Sequence, residues 1–184
     1  MDKQYKLIIF DMDGTLADRD TGELLSGVAD WFKDYKYVTG GVKLAIATNQ
    51  GGVGLRYWME SSGFGEPEKY PTEDDIWKRI NQVIAQLGIS QIQIPVYVCF
   101  AYQSKSSGKI APLPPHHTNA ISSWSIAFRK PSPGMLLDAM REAEASADET
   151  LMVGDSDEDF AAALAADCHF QWAWEFFKRE KPET

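Results

Sequence analysis

The chain has 184 residues, of which 44% are hydrophobic and 24% charged, a balance typical of a folded globular protein and not of a disordered one. Its 18 Lys and Arg residues against 27 Asp and Glu residues give a formal net charge of −9, which argues against broad non-specific binding of nucleic acid. The sequence contains no apolar run of about 18 residues, so we expect no membrane-spanning helix. Cys99 and Cys168 are too few for a disulfide framework, and we expect one cytoplasmic domain over residues 1–184.

The first half of the chain alternates between strand-like and helix-like patterns. Residues 5–10 form a short apolar run that predicts a buried strand, and residues 42–47 predict a second strand. Apolar residues at helical spacing predict helices over 24–35 and 76–87. Between them, residues 54–71 are rich in Gly, Ser, Pro and aromatic residues, which we interpret as a long loop or lid.

The second half continues the alternation after one irregular segment. Residues 94–100 predict a third strand, in which Pro95 favours an edge or first position because proline has no amide hydrogen. Segment 101–128 is rich in Ser, Pro and Gly and does not fit the alternation, while Ser132 and Pro133 predict the N-cap and first residue of a helix. The remaining predicted elements are a strand over 151–153, a helix over 160–166 and a tail over 170–177 that is either a strand or a helix.

Such alternation predicts an α/β fold with an open, largely parallel sheet and helices on both faces. In sheets of this kind, sites form beyond the carboxyl ends of the strands. Asp11, Thr48 and Asp155 follow the first, second and fourth predicted strands. We therefore expect the functional site at this edge of the sheet.

Two carboxylates follow the first predicted strand, in the segment Asp11-Met12-Asp13-Gly14-Thr15. Asp and Gly are common in turns, so a simple turn is one interpretation. In the chemical interpretation, one carboxylate attacks phosphorus and forms an acyl phosphate, while the other donates a proton to the leaving group and later takes one from water. Side chains two residues apart on an extended segment point the same way, which lets Asp11 and Asp13 address one substrate.

A second acidic segment, residues 154–159, follows the fourth predicted strand. Stabilisation of a helix N-terminus accounts for Asp157 and Glu158 but not for Asp155. If the sheet brings Asp155 and Asp159 close to the first pair, each pair of carboxylates at ~4 Å costs on the order of 4 kcal/mol at an effective dielectric constant of about 20. Either some of these groups are protonated or a cation lies among them, and oxygen ligands beside a phosphate favour Mg²⁺.

Three further residues are candidates for holding a phosphate group. Thr48 and Asn49 offer a hydroxyl, an amide and backbone N–H groups at the end of the second strand, although Thr-Asn is also a common turn. Lys130 precedes a capped helix, where its ammonium group is able to meet phosphoryl oxygens, although alone it would be interpreted as a solvated lysine. Their order along the chain, together with the two acidic segments, favours the functional interpretation.

The motifs DMDGT, TNQ, RKP and GDSDEDF resemble, in this order, those of the haloacid dehalogenase superfamily of phosphatases. The resemblance covers residues 10–167 and implies a Rossmann-like, three-layer fold with a mostly parallel five-stranded sheet in the order 5-4-1-2-3. The segments TNQGGV and RKPSPGM are most similar to histidinol-phosphate phosphatases, heptose-bisphosphate phosphatases and the 3′-phosphatase module of polynucleotide kinases. These enzymes lack a large cap domain, and we expect none here because one predicted helix fills residues 11–43.

This resemblance also implies roles for individual residues. Asp11 would be the nucleophile and Asp13 the general acid and base, while Thr48 and Lys130 would hold the phosphoryl group. The ligands of Mg²⁺ would be Asp11, the backbone carbonyl of Asp13, and Asp155, with Asp159 supporting the metal or Lys130.

The chain departs from this subgroup in the segment before the RKP motif. Several relatives carry a zinc loop there with C-x-H and C-x-C motifs, whereas this chain has Cys99-Phe100-Ala101 and Ile126-Ala127-Phe128. His116 and His117 with Cys99 are a weak substitute because adjacent histidines rarely point at one metal, so we do not expect zinc.

The predicted function is Mg²⁺-dependent hydrolysis of a phosphomonoester, on a small phosphorylated metabolite or on the 3′-phosphate of a nucleic acid. Aromatic residues in the 54–71 segment either stack on a base or hold that segment down. Arg56 and Arg129 are candidates for a second phosphate contact. The alternatives are a phosphotransferase that passes the same intermediate to an alcohol, and a non-catalytic phosphate-binding protein.

Overall fold

The computed structural model describes residues 5–35, 41–89, 94–114 and 122–182. Five strands in these ranges form one sheet in the order β3-β2-β1-β4-β5, and every neighbouring pair is parallel. The strands are β1 (Leu7–Phe10), β2 (Lys43–Asn49), β3 (Val96–Cys99), β4 (Thr150–Gly154) and β5 (His169–Trp172). This architecture confirms the predicted α/β class and strand order, and the edge position of β3 agrees with the expectation from Pro95.

Helices cover both faces of the sheet and form two separate cores. In β1, Ile8 and Phe10 belong to one hydrophobic cluster and Leu7 and Ile9 to the other, because successive side chains of a strand point to opposite faces. The helices of the described residues are α1 (Val28–Tyr35), α2 (Gly52–Ser62), α3 (Glu73–Leu87), α4 (Gly134–Ala143), α5 (Asp157–Ala165) and α6 (Ala173–Phe176). α1 and α3 supply buried residues to the first cluster, and α4 and α5 to the second, which gives three layers.

Several predicted helix boundaries are corrected by local chemistry. The helix predicted over 24–35 begins only at Val28, because Gly27 has φ +81° and Leu24 pairs with Ala17 in an isolated antiparallel bridge. α3 begins earlier than predicted, since Thr72 and Asp75 form a capping box. The predicted N-cap Ser132 is wrong, since Pro133 occupies that position without a side-chain cap.

The tail predicted over 170–177 contains both candidate structures, β5 followed by α6. In segment 101–128, the described parts include an isolated bridge between Gln103 and Ile110 and a 3-10 helix at Ser122–Trp124. His116 and His117 lie outside the described residues. No helix in the described part of the chain is long and apolar enough to span a membrane.

The prediction of a long loop over residues 54–71 is wrong. α2 occupies Gly52–Ser62, and a short 3-10 helix follows at Pro67–Lys69. The glycines suggested a loop because glycine disfavours helices. Gly54, however, is buried, and a Cβ atom there would collide with the backbone carbonyl oxygen of Phe100. Close packing of α2 against the segment after β3 therefore accounts for this glycine.

We predict that Gly54→Ala destabilises the protein although alanine is the better helix former. Helix propensity alone would stabilise the variant by about 1 kcal/mol. The new methyl group, however, collides with a backbone carbonyl oxygen, which cannot move aside as a flexible side chain would. Overpacking of this kind costs about 1–3 kcal/mol, so we expect a lower melting temperature. Ser62→Ala, at the exposed end of the same helix, is the control and should leave the melting temperature nearly unchanged. A Gly54→Ala protein that melts at a higher temperature than the original would contradict the packing argument.

Candidate active site

The carboxyl ends of the three central strands open into one polar cleft with a volume of about 410 Å³. The register places Phe10, the last residue of β1, beside Ile46 of β2 and Val153 of β4, so the residues that follow these strands meet. The predicted site residues that line this cleft are Asp11, Asp13, Thr48, Asn49, Lys130, Asp155 and Asp159.

The ammonium group of Lys130 lies at the buried end of this constellation. Its Nζ is 2.6 Å from Asp11 Oδ1 and 2.6 Å from Asp159 Oδ1, and it donates a hydrogen bond of 2.8 Å to the carbonyl oxygen of Ala47. Burial alone would lower the pKa of Lys130, but the two carboxylates outweigh it and hold this pKa above its usual value. Lys130 therefore carries its positive charge although its side chain is only 2% exposed.

The carboxyl group of Asp11 is in the opposite situation. Burial raises its pKa to about 8, with smaller raising contributions from Asp159 and Asp155, while Lys130 acts to lower it. Burial and the neighbouring Asp159 also raise the pKa of Asp155. Both carboxyl groups are thus in an environment that disfavours negative charge unless additional positive charge is present.

The donor set in the cleft fits a hard divalent cation. Three carboxylate oxygens lie within 4.8 Å of one another, one each from Asp11, Asp155 and Asp159. Among the described residues, this is the cluster of acidic side chains that is close enough together to hold a metal ion. Mg²⁺ prefers oxygen ligands of this kind and is commonly bound by one or two carboxylates together with phosphate oxygens. The residues present therefore fit the magnesium ion that the sequence predicts.

Asp155 fits against the turn that follows Asp13. Gly14 has φ +84°, and a Cβ atom at this position would collide with the Asp155 carboxylate, so only glycine allows the close approach. Thr15 Oγ1 donates to Asp155 Oδ1 at 3.3 Å. Arg179, which follows α6, donates to the carbonyl oxygens of Gly14 at 2.6 Å and Thr15 at 3.0 Å. The chain after β5 therefore helps to fix this turn, which sequence reasoning missed.

Asp159 both caps α5 and contacts the lysine. Its Oδ2 accepts hydrogen bonds from Ser156 Oγ at 2.7 Å and from the backbone amides of Asp155 and Ser156 at 3.2 and 3.1 Å. Its Oδ1 faces Lys130 Nζ. Of the two predicted roles of Asp159, these bonds favour support of Lys130.

Asp13 is held by two partners that the sequence analysis did not identify. Arg79 Nη2 of α3 lies 2.6 Å from Asp13 Oδ1, and Gln50 Nε2 donates to Asp13 Oδ2 at 2.9 Å. Gln50 also donates to Thr48 Oγ1 at 2.9 Å. Gln50 belongs to the TNQ motif, so the sequence did contain an indication that it lies at the site. Arg79 is a single basic residue in an amphipathic helix, and nothing in the sequence indicates its contact with Asp13.

The remaining predicted residues occupy different positions. Asn49 is turned toward the backbone of Lys130, where its amide donates to the carbonyl at 2.9 Å and its oxygen accepts from the amide at 3.0 Å. Arg56 pairs with Glu60 and donates to two carbonyl oxygens of the 67–70 segment, and it does not line the cleft. Arg129 lines an adjacent cleft of about 340 Å³.

Two basic residues at the cleft were not predicted, Arg19 and Lys105. Lys105 Nζ lies 3.2 Å from Glu158 Oε1 and belongs to the walls of both clefts. Cys99, considered above for zinc, is buried and donates to the carbonyl oxygen of Ser125, and burial raises the pKa of its thiol to about 11. This environment favours the protonated thiol, which is the form that does not bind metal.

Comparison with known proteins agrees with this geometry. A family model described as haloacid dehalogenase-like hydrolase matches residues 5–167. D-glycero-beta-D-manno-heptose-1,7-bisphosphate 7-phosphatase of Haemophilus influenzae is 28% identical over 170 residues, with 88% of this chain and 77% of that protein covered. The protein of the same name from Yersinia pestis is 29% identical over 176 residues, with 90% and 78% covered.

Among solved structures, D,D-heptose 1,7-bisphosphate phosphatase from B. bronchiseptica, in complex with magnesium and phosphate, has a TM-score of 0.55. It is 24% identical, with 90% of this chain and 78% of that chain covered, and supports the fold. The family match contains every residue that lines the polar cleft. Because the sequence relatives are phosphatases, the predicted enzyme class is confirmed. The chain therefore belongs to the haloacid dehalogenase-like hydrolase family, as its motifs predict.

Proposed function

We propose that this phosphatase hydrolyses a phosphate monoester of a small polar molecule, with Mg²⁺ and through a phosphoryl group carried transiently by Asp11. The observation that supports this proposal most directly is the convergence of Asp11, Lys130 and Asp155 in one cleft, with Asp13 on its wall. A non-catalytic phosphate-binding protein would not need this complete set of nucleophile, proton carrier and buried cation.

The residues of the chain bind and orient the phosphoryl group. The three N–H donors of Lys130 meet Asp11, Asp159 and the carbonyl oxygen of Ala47, so Lys130 would attract the phosphoryl oxygens through its positive charge. Thr48 is buried and lines the cleft, where its hydroxyl would meet a phosphoryl oxygen. Asp11, the backbone carbonyl of Asp13, and Asp155 would hold the magnesium ion, which when bound neutralises charge on the carboxylates and on the phosphoryl oxygens. Positioning and charge neutralisation supply most of the catalysis in phosphoryl transfer.

The reaction has two balanced steps. In the first, a carboxylate oxygen of Asp11 bonds to phosphorus, the bond from phosphorus to the leaving-group oxygen breaks, and that oxygen takes a proton from Asp13. In the second, a water oxygen bonds to phosphorus while Asp13 takes its proton, and the bond from phosphorus to Asp11 breaks. Inorganic phosphate leaves, and both carboxyl groups return to their starting states.

Features of the cleft favour a small polar substrate over a nucleic-acid end. The aromatic residues considered for base stacking pack on other aromatic residues instead: Tyr57 on Trp124, and Trp58 on Phe64 and Tyr102. None of the described residues lining the cleft is aromatic. A volume of about 410 Å³ is within the usual range for small-molecule pockets.

The basic residues around the cleft favour a substrate with a second anionic group. Arg19 and Lys105 lie on its wall, and Arg129 lies in the adjoining cleft that shares Lys105 and Lys130. The relatives are named for a sugar that carries two phosphates. We therefore place a phosphorylated sugar or a similar polyol with a second acidic group first among substrates.

We predict that Asp11→Asn lowers turnover of p-nitrophenyl phosphate and of sugar phosphates at least about 100-fold, because an amide oxygen is a poor nucleophile. Steady-state release of phosphate over a panel of phosphorylated sugars and a 3′-phosphorylated oligonucleotide is the measurement, with the oligonucleotide expected to be a poor substrate. Asp74→Asn, on the exposed surface of α3, is the control and should retain full activity. Turnover of Asp11→Asn at the original rate would exclude Asp11 as the nucleophile.

We predict that Mg²⁺ stabilises the native state and that Asp155→Asn removes this effect. At about 100 times the Kd, binding adds about 2.7 kcal/mol, which for a chain of this size raises Tm by roughly 5–10 °C. Differential scanning fluorimetry with and without Mg²⁺ measures the shift, again with Asp74→Asn as the control. No shift in the original protein, or an equal shift in Asp155→Asn, would contradict the metal site.

A further inference from the structure

Arg79 is a charged residue of α3 that contacts Asp13, one of the residues lining the active-site cleft. Its neighbours in the helix, Ile76, Ile80 and Val83, are buried in the core, whereas its own side chain is 21% exposed. Its Nη2 atom lies 2.6 Å from Asp13 Oδ1 and donates to the carbonyl oxygen of Asp18 at 3.1 Å. The guanidinium group therefore bridges the two ends of the segment that follows the nucleophile.

Arg79 and Gln50 together hold both oxygens of the Asp13 carboxyl group. Gln50 Nε2 contacts Oδ2 while Arg79 contacts Oδ1, so rotation of the carboxylate in either direction breaks a contact. Oδ1 is buried, whereas Oδ2 accepts one hydrogen bond from Gln50 and retains a second acceptor position, so Oδ2 is the oxygen that would exchange a proton with the leaving group or a water molecule. Asp13 lines the cleft in this arrangement. The two contacts thus restrict the side chain without blocking it.

A purely structural role for the ion pair accounts less well for this geometry. α3 is anchored to the sheet by five buried apolar residues and ends in regular caps, so it does not need Arg79 to stay in place. The pair is largely buried, and the cost of removing both charges from water offsets much of their attraction, so the pair is weak evidence for a stabilising role. The contact joins the helix to the carboxylate on which the proposed proton transfers depend, and this location favours a role in the reaction.

We propose that Arg79 is a positioning residue, which holds the Asp13 carboxyl group in the place from which it serves the leaving group and then the attacking water. This inference rests on the proposed two-step hydrolysis. When Asp13 is free to rotate, the first step slows only for leaving groups that need a proton. The second step, attack of water on phosphoryl-Asp11, slows for every substrate because it is common to all.

Two aryl phosphates of nearly the same shape separate these effects. p-Nitrophenolate leaves readily without a proton, whereas phenolate, with a pKa of about 10, leaves much more slowly unless it is protonated. The ratio kcat/KM reports the steps through formation of phosphoryl-Asp11, and kcat also reports its hydrolysis. A loosely held Asp13 should therefore change kcat/KM for phenyl phosphate but not for p-nitrophenyl phosphate.

The experiment measures both constants for Arg79→Ala, Arg79→Lys and Arg79→Gln with the two substrates and Mg²⁺. For Arg79→Ala we expect kcat/KM to fall about 10–100-fold with phenyl phosphate and by less than about threefold with p-nitrophenyl phosphate. We expect kcat to fall with both substrates, together with a burst of p-nitrophenolate close to the enzyme concentration. Arg79→Lys should recover part of the loss, because its ammonium group is able to pair with Asp13.

Lys78→Ala is the matched control, since it removes one positive charge from the exposed surface of the same helix. It should leave both constants unchanged. The positioning role would be overturned if Arg79→Ala lost kcat/KM equally with both substrates or lost none with either. If the Arg79→Ala protein does not fold, the same criterion applies to Arg79→Gln. Failure of the unaltered protein to hydrolyse either substrate would instead overturn the proposed function, and this inference with it.

Discussion

The buried ammonium group of Lys130 is the interaction on which the rest of the site depends. A charge taken out of water is costly unless it is paired and hydrogen-bonded, and here Asp11, Asp159 and the carbonyl oxygen of Ala47 all lie within 2.8 Å of it. Lys130 also stabilises its partners, because without it the carboxylates of Asp11 and Asp159 would face each other with little solvent between them. Three contacts of one ammonium group therefore fix the proposed nucleophile, the start of α5 and the end of β2.

The parallel sheet makes this convergence possible. Asp11, the residues after β2 and the residues after β4 are far apart in sequence but leave the same edge of the sheet from neighbouring strands. Small residues then allow close approach: Gly14 accommodates the Asp155 carboxylate, and Gly154 accommodates the side chain of Asp159. Backbone order and glycine placement together bring three carboxyl groups into a space that fits one small divalent cation.

Four of the five strands could be predicted from their continuous apolar runs and most helices from their apolar period, whereas the pattern over 170–177 left a strand and a helix open. The edge that holds the site followed from the order of elements. Helix α2 could not be predicted, because the glycines that let it pack against the segment after β3 cannot be distinguished in sequence from glycines of a loop. The sequence motifs identify Asp11 and Asp13 but do not predict which side chains contact them. Arg79 contacts Asp13 from a helix more than sixty positions away, and a long polar side chain in an amphipathic helix normally indicates a solvated face.

The central claim is that Asp11 accepts the phosphoryl group before water does, and direct detection of that species tests it. Acid quenching of the enzyme during turnover of p-nitrophenyl phosphate, followed by peptide mass spectrometry, measures which residue carries phosphate. We expect a phosphoryl adduct on Asp11 that hydroxylamine removes and that is absent from Asp11→Asn. A fully active enzyme with no adduct, or with the adduct on another residue, would contradict it.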